Sequence, residues 1–278
     1  MAVAALGSIA AMTERLIANS RLEVQHIAAD AGTVPRAPLV FLHEGLGSVA
    51  MWRDWPQTVC ARTGREGWIY SRRGYGRSEP VPDVRGPATV VGGVRGGRLL
   101  PDYMHHEAWT VLPHLLEDCR VRCPVLIGHS DGGTIALLHA SRHPVTACIV
   151  MAPHIVVEDE SIRSITQARD AFENGDLRDR LARYHQDVDC AFWQWNDIWL
   201  SPEFRAFDIR EDCRHIQAPV LAIQGAQDPY GSLAQIKGID LPAQQIRREV
   251  LAPCGHSPHR DQTEQTTALI TDFLCALG

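Results

Sequence analysis

Short apolar runs that alternate with amphipathic stretches dominate the hydrophobic pattern of this chain. The runs are rich in β-branched residues and are continuous, as expected for parallel strands buried on both faces. Six runs are predicted strands: residues 39–42, 68–70, 125–127, 148–151, 220–223 and 249–251. Residues 21–27 alternate between apolar and polar and predict an edge strand. Strands that alternate with helices predict a doubly wound α/β fold, with a mostly parallel central sheet flanked by helices.

Two stretches interrupt this rhythm. Residues 81–100 are rich in Gly, Val, Pro and Arg without a clear period, and they predict a long loop that is either functional or disordered. Residues 155–215 carry helical patterns between two predicted core strands, so we predict an inserted helical cap. The predicted organisation is an N-terminal extension (1–20), a core made of 21–154 and 216–278, and the helical cap (155–215).

The composition is that of an ordinary globular protein and narrows the range of partners. A net charge of −6 argues against nucleic acid and anionic membrane surfaces. No apolar run approaches the about 20 residues that cross a bilayer, so no membrane association is expected. The eight cysteines form no C-x-x-C pair and several lie in apolar runs, which predicts reduced thiols and a cytoplasmic location. The first six residues lack a basic segment, so no signal peptide is expected. We expect a monomer or a homodimer.

The most specific local pattern is Gly-His-Ser-Asp-Gly-Gly at residues 128–133, directly after the predicted strand 125–127. A chain that turns sharply from a strand into a helix crowds its own backbone, so small residues must flank the turn. The serine then stands at the apex with its hydroxyl group exposed. Helix-compatible residues follow at 134–138. Ser130 is therefore the candidate nucleophile.

A serine nucleophile needs a general base, and the base needs an acid that orients it. In folds with a nucleophile at a strand–turn–helix elbow, the order along the chain is Ser, then Asp or Glu, then His. Asp228 follows the predicted strand 220–223, and His256 follows the predicted strand 249–251. These two residues are the candidate acid and the candidate base.

The oxyanion that forms during such a reaction needs two backbone N–H donors, one of them from the residue after the nucleophile. That residue is Asp131. The second donor is expected from the Gly-rich loop after the strand 39–42, because glycine lets the backbone approach a substrate closely. We assign it to Gly45, with Glu44 and Leu46 as alternatives. The histidines at 105–106 and at 256 and 259 lack a third spaced ligand, so neither a metal nor another cofactor is expected.

Five ordered motifs resemble those of the α/β-hydrolase superfamily over nearly the whole chain. They are the loop 43–48 followed by Met51 and Trp52, the turn 73–78, the elbow 128–133, the Asp228 loop and the His256 loop. The nearest resemblance is to the capped esterases and the meta-cleavage C–C hydrolases. A serine at the elbow argues against the dehalogenases and epoxide hydrolases of the superfamily, which carry Asp there. The resemblance implies an α/β-hydrolase fold with an inserted helical cap.

The expected activity is that of a serine hydrolase, which cleaves a small-molecule carboxylic ester through an acyl-enzyme intermediate. Hydrolysis of a C–C bond, an enol-lactone or a thioester uses the same triad and remains an alternative. The C–C reaction usually needs a basic residue for the substrate carboxylate, and Arg163, Arg180 or Arg183 in the predicted cap could supply it. A non-catalytic binding relative is a further alternative, because such proteins can retain the triad.

Two acidic residues depart from the superfamily pattern and bear on the substrate. Many relatives have Gly at the position of Glu44 and a small or apolar residue at that of Asp131. A carboxylate after the nucleophile resembles the members that hydrolyse amino-acid esters, where it receives the substrate's ammonium group. Alternatively, Asp131 caps its own helix or pairs with Arg72 or Arg73. Glu44 is also a substrate-binding candidate, although we expect it to turn away and hydrogen-bond to loop amides.

Aromatic and histidine side chains complete the set of substrate-binding candidates. On a helix, Trp195 and Trp199 share a face while Trp193 points elsewhere. One of these tryptophans is expected to roof the pocket over an acyl or aryl group, and the others to pack the cap on the core. His154 follows the predicted strand 148–151 and Tyr230 follows Asp228, so both are predicted to border the site.

Overall fold

One eight-stranded sheet organises the protein, whose computed structural model describes residues 11–277. The strands are β1 (Ala11–Ile17), β2 (Ser20–Ile27), β3 (Leu39–Leu42), β4 (Gly67–Tyr70), β5 (Thr89–Val91), β6 (Val94–Gly96), β7 (Val125–His129), β8 (Ala147–Met151), β9 (Val220–Gly225) and β10 (Ile246–Leu251). The sheet order is β1-β2-β4-β3-β7-β8-β9-β10. Neighbours from β4 to β10 pair in parallel, whereas β2 is antiparallel to both β1 and β4. The predicted mostly parallel sheet is confirmed, and each of the six predicted core strands lies in it.

Helices cover the sheet and fill the connections between its strands. They are α1 (Trp55–Thr63), α2 (Tyr103–His106), α3 (Leu112–Asp118), α4 (Asp131–Ala140), α5 (Asp159–Asn174), α6 (Leu177–Leu181), α7 (Val188–Trp199), α8 (Arg210–Cys213), α9 (Ala234–Lys237), α10 (Pro258–Asp261) and α11 (Thr263–Ala276). A π-helical turn joins α2 to α3. The four helices α5 to α8 lie between β8 and β9, in the segment with the helical patterns. No helix within residues 11–277 has the length and apolar character needed to cross a membrane.

Both faces of the sheet are packed. Successive residues of β3 belong to different apolar clusters: Val40 lies with the cluster that includes Leu112 of α3, and Phe41 lies with the one that includes Ile270 of α11. Because side chains alternate between the faces of a strand, these clusters lie on opposite sides of the sheet. This two-sided burial explains why the core strands are continuous apolar runs.

The edge of the sheet differs from the prediction. The predicted edge strand, β2, is an inner strand, because β1 pairs along its outer side from Ala11 opposite His26 to Ile17 opposite Ser20. Part of the predicted N-terminal extension is therefore sheet, while its residues 1–10 lie outside the described residues. The strand was missed because its exposed positions include both Met12 and Glu14, which obscures any apolar face.

The segment 81–100 is also more regular than predicted. It contains the two-stranded hairpin β5–β6, whose connection is Gly92-Gly93. Both glycines have positive φ, 58° and 81°, which a two-residue hairpin turn requires and which glycine adopts at little cost. Two glycines between valine-rich segments are a hairpin signal, so this element could have been found from the sequence.

Candidate active site

The turn after β7 holds Ser130 in an unusual backbone conformation. Its φ is 54° and its ψ is −120°, between the end of β7 and the first residue of α4. Its N–H donates to the carbonyl oxygen of Met151 at 2.9 Å. A Cβ at Gly128 would collide with the Gly132 backbone, and one at Gly132 would collide with Leu42. The small residues around Ser130 are thus required by the close approach of the chain to itself.

Asp228 and His256 meet at the carboxyl ends of β9 and β10. The ring Nδ1 of His256 lies 2.9 Å from both carboxylate oxygens of Asp228. Because a carboxylate only accepts, Nδ1 carries the proton and Nε2 is left as the basic nitrogen. The Asp228 side chain is almost fully buried, and His256 retains 13% exposure.

Two further donors hold the Asp228 carboxylate in place. Gln224 donates from Nε2 to Oδ2 at 2.6 Å, and the Tyr230 N–H donates to Oδ1 at 2.8 Å. An acid that is fixed on both oxygens presents a defined direction to His256. This is the orienting role that a histidine base requires.

The elbow is joined directly to the loop that carries His256. His129 donates from Nε2 to the His256 carbonyl oxygen at 2.7 Å, and burial holds the pKa of His129 well below its usual range. Within residues 11–277 we find no hydrogen bond between Ser130 Oγ and His256. Nucleophile–base contacts commonly tighten only when a substrate is bound, so the two groups remain a candidate pair.

Arg72 and His43 fix the orientation of the loop after β3. Arg72 donates from Nη1 to the His43 carbonyl and from Nη2 to the Glu44 carbonyl, both at 3.0 Å. The Glu44 carbonyl also accepts from His43 Nδ1 at 2.7 Å. In a trans peptide the C=O and the following N–H point in opposite directions. Holding the Glu44 carbonyl therefore aims the Gly45 N–H the opposite way.

Gly45 is in direct contact with Trp195 on α7. A Cβ at Gly45 would collide with the Nε1 and Cδ1 atoms of that indole. Trp195 as a residue is 6% exposed. Trp195 therefore covers the candidate oxyanion loop, and Gly45 must be glycine for the two to pack.

The Asp131 side chain is buried among polar groups rather than open to solvent. Its Oδ2 accepts from the Tyr103 hydroxyl at 2.7 Å, and Arg72 Nη2 lies 3.7 Å away. Its Oδ1 has no hydrogen-bond partner in the described part of the chain. Burial raises the pKa of Asp131, and nearby Arg72 opposes that rise. Of the two arginines considered, Arg72 is the neighbour, while Arg73 pairs with Glu79 at 3.2 Å.

Glu44 lies beside the two histidines of the site. Its carboxylate is 3.5 Å from His129 Nδ1 and 3.4 Å from Arg260 Nη2. Among residues 11–277 it accepts no hydrogen bond from a loop amide, so the expected partner was wrong. One ligand atom each from Glu44, His129 and His256 lie within 4.8 Å of one another. The Arg260 guanidinium beside Glu44 disfavours a metal ion here, because a second cation at that carboxylate would meet a like charge.

The remaining candidates surround His256 and the elbow. The ring centres of Tyr230 and His154 lie 4.7 and 5.7 Å from that of His256. Burial lowers the pKa of His154 to about 3, so its ring is neutral. Trp199 stands edge-on to His154 at 4.9 Å and donates from Nε1 to the Tyr103 hydroxyl at 3.0 Å.

The sequence analysis did not identify Tyr103 as a site residue. It also did not predict that Arg72 bonds to the loop after β3 while lying 3.7 Å from Asp131 of the elbow. Tyr103 starts α2, and its hydroxyl links Trp199 of α7 to Asp131 of α4. No local pattern marks such a link, because its three residues are far apart in the sequence. The one available signal was the unusual Asp131 itself, since a buried carboxylate requires partners.

The sheet order and the sharp elbow between β7 and α4 define the architecture of an α/β hydrolase. A family-wide sequence profile described as the alpha/beta hydrolase family matches residues 39–269. The chain therefore belongs to the alpha/beta hydrolase family.

Solved structures of several hydrolases are similar over nearly the whole chain. The enol-lactonase from Burkholderia xenovorans LB400 is 17% identical, with a TM-score of 0.67, covering 95% of this chain and 100% of the other. A meta-cleavage product hydrolase from Pseudomonas fluorescens IP01 is 16% identical, with a TM-score of 0.68 and coverages of 96% and 98%. A thermophilic esterase from Thermogutta terrifontis is 15% identical, with a TM-score of 0.65 and coverages of 96% and 99%. At these identities the similarity establishes the fold, and the chemistry must be argued from the site.

Proposed function

We propose that this protein is a serine hydrolase that cleaves a small carboxylic ester through an acyl-enzyme intermediate. The observation that carries the proposal is the pair formed by His256 Nδ1 and Asp228 at 2.9 Å. This pair leaves a basic Nε2 on His256, whose backbone carbonyl accepts a hydrogen bond from His129 of the elbow. The triad, the oxyanion donors and the cap are parts of this proposal.

The chemistry follows from those positions. His256 Nε2 takes the proton of the Ser130 hydroxyl as the oxygen attacks the ester carbonyl, and the carbonyl electron pair moves onto oxygen. The N–H groups of Gly45 and Asp131 stabilise that oxyanion. The oxyanion collapses, the alcohol leaves with the proton from His256, and Ser130 is acylated. Water then attacks the acyl-enzyme with His256 as base, which releases the acid and restores Ser130.

The surroundings favour an ester over the C–C bond substrate. The C–C reaction needs a cation for the substrate carboxylate. Arg163 and Arg180 are mostly exposed and pair with acids of their own segments, Glu160 at 2.8 Å and Asp176 at 3.5 Å. Arg183 is exposed as well. None of the three arginines therefore supports that alternative.

Within the proposal, the Asp131 carboxyl serves the protein rather than a substrate ammonium group. Tyr103 and Arg72 already surround it, and a cation beside Arg72 would meet a like charge. Aminoacyl esters should therefore show no advantage over acyl esters of the same size. A clear preference for them, lost in Asp131→Asn, would instead assign the carboxyl to the substrate.

The test combines active-site labelling with substrate profiling. A fluorophosphonate should attach to Ser130, as located by peptide mass spectrometry, and Ser130→Ala should abolish the label. Ser141→Ala is the matched control, because this half-buried serine directly follows α4 and its hydroxyl bonds only to the Leu138 carbonyl of that helix. Turnover should be highest on short acyl esters among acyl esters, aminoacyl esters, lactones and thioesters. Labelling without turnover of any class would support the binding relative instead.

A further inference from the structure

The carboxylate of Glu44 lies beside the candidate base, although the proposed acyl-transfer steps give it no role. One atom each from Glu44, His129 and His256 lie within 4.8 Å of one another. Glu44 directly precedes Gly45, the candidate oxyanion donor. Its side chain is 19% exposed, so solvent can reach the carboxylate.

The Glu44 carboxylate is held in a defined direction. Its Oε1 lies 3.4 Å from Arg260 Nη2, and its Oε2 lies 3.5 Å from His129 Nδ1. The backbone of Glu44 is also fixed, because its carbonyl accepts from Arg72 Nη2 at 3.0 Å and from His43 Nδ1 at 2.7 Å. A side chain that is fixed at both ends can hold a small molecule in one position.

The atoms that meet here are hydrogen-bond acceptors. His129 donates from Nε2 to the His256 carbonyl, so that nitrogen carries the ring proton. Burial holds the pKa of His129 well below its usual range, so the ring is neutral and its Nδ1 presents a lone pair to the Glu44 carboxylate. His256 Nε2 likewise accepts, because Nδ1 donates to Asp228. The group therefore favours a small molecule that donates hydrogen bonds.

Water meets this requirement in both size and charge. Two acceptors that each lie about 2.8 Å from one water oxygen are about 4.5 Å apart, which agrees with the 4.8 Å that encloses the group. Polar atoms at such separations commonly interact through a water molecule. A cationic donor would instead meet the like charge of Arg260, which lies beside the same carboxylate.

We propose that Glu44 holds the water molecule that attacks the acyl-enzyme, and that it thereby favours hydrolysis over transfer of the acyl group to an alcohol. This inference rests on the proposed function. One O–H group of the water donates to His256 Nε2, and the other donates to the Glu44 carboxylate.

The protons and electrons of this step balance without any further reactant. As the water oxygen attacks the acyl carbon, its first proton passes to His256 and the carbonyl electron pair moves onto oxygen. The second proton stays on the attacking oxygen and becomes part of the released acid. Collapse of the oxyanion expels the Ser130 oxygen, which takes the proton from His256.

The second O–H group distinguishes water from an alcohol at this position. The alcohol that leaves during acylation and the water that attacks during deacylation both exchange a proton with His256 Nε2, so they occupy the same place. An alcohol oxygen carries a carbon where water carries its second hydrogen, so it cannot donate to His256 and Glu44 together. The Glu44 carboxylate therefore stabilises the attack of water and has little effect on acylation.

The test compares two fates of one acyl-enzyme, with 4-nitrophenyl acetate as the substrate and methanol as the competing alcohol. In Glu44→Gln a neutral amide replaces the carboxylate, so the ratio of methyl acetate to acetate should rise about ten-fold. Stopped-flow measurements should show deacylation slowed about ten-fold and acylation changed by less than about three-fold. Glu264→Gln is the matched control, because this acid also pairs with an arginine, Arg62 at 2.6 Å, but is 77% exposed on α11. It should match wild type in all three quantities.

The product ratio reports only on active molecules, so partial unfolding of Glu44→Gln does not alter it. An unchanged ratio would overturn the proposal, whether both steps slow equally, as a disturbed loop or a weaker His256 base would cause, or neither step slows. Failure of the proposed function would be recognised separately by peptide mass spectrometry of quenched reactions. Ser130 would then carry no acetyl group in wild type or in either variant, although the ester is consumed.

Discussion

At the scale of single residues, the site depends on a few contacts that no single motif contains. The segment 128–133 and the strand before it predicted Ser130 as the candidate nucleophile. A sharp turn needs small residues on either side, and that requirement is visible in the sequence. Asp228 and His256 were predictable from their order and from the strands before them. The contacts of Arg72 and Tyr103 were not predicted. Both side chains bond to residues that are distant in the sequence, so no local periodicity or motif spacing marks them.

Gly45 offers the sharpest residue-level prediction. Gly45→Ala places a methyl group against the Trp195 indole, so it should cost about 1–3 kcal/mol of unfolding free energy and lower turnover about ten-fold or more. Combining it with Trp195→Leu removes the colliding group, so the two effects should be less than additive. Urea unfolding and ester kinetics check both statements. Strict additivity would show that the collision is not the cause.

Arg72 offers a second prediction about the loop after β3. Arg72 reaches the His43 and Glu44 carbonyls with two different nitrogens of its planar guanidinium, whereas lysine carries all its N–H donors on one atom. Arg72→Lys should therefore lower kcat about ten-fold with little change in KM. Arg77→Lys, at an exposed position of the same turn, is the matched control and should leave both constants unchanged. A rise in KM with unaltered kcat would mean that Arg72 serves substrate binding instead.

At the scale of elements, the core strands were predictable and the margins of the sheet were not. A strand buried on both faces must be apolar throughout, and β3, β7, β8 and β9 satisfy that demand in every residue or nearly so. The edge strand β1 has one neighbour and a largely exposed surface, so burial imposes no such pattern on it.

Helix α4 carries a prediction about pH. Burial lowers the pKa of His139 to about 4, from about 6.5 in the unfolded chain. The unfolded state therefore binds the proton first, and the stability contributed by the neutral ring is lost as pH falls from 6.5 towards 4. Between pH 7.5 and 5.5, wild type should lose about 1.4 kcal/mol more unfolding free energy than His139→Asn, as measured by urea titration.

The asparagine variant keeps a donor for the Ala108 carbonyl, to which His139 Nδ1 bonds at 2.8 Å. It cannot titrate in this range. If wild type and His139→Asn lose the same stability between the two pH values, the buried histidine does not contribute to the acid sensitivity.

At the scale of the whole molecule, the fold brings together residues from the ends of five strands. Loops after β3, β4, β7, β9 and β10 supply Gly45, Arg72, Ser130, Asp228 and His256. The carboxyl ends of parallel strands meet at one edge of the sheet, which is where ligand sites form in such folds. Order along the chain and strand polarity therefore predicted that the triad candidates lie at one edge of the sheet, whereas the packing of α7 over Gly45 required the structure.

The central claim is that Ser130 is the nucleophile of an ester hydrolase. The most direct measurement is the turnover of a short aryl ester by wild type, Ser130→Ala and Ser141→Ala, each checked for folding by circular dichroism. Ser130→Ala should lower kcat by at least about a thousand-fold, because the covalent step is lost, while Ser141→Ala should match wild type. Retention of turnover in Ser130→Ala to within about ten-fold of wild type would contradict the account.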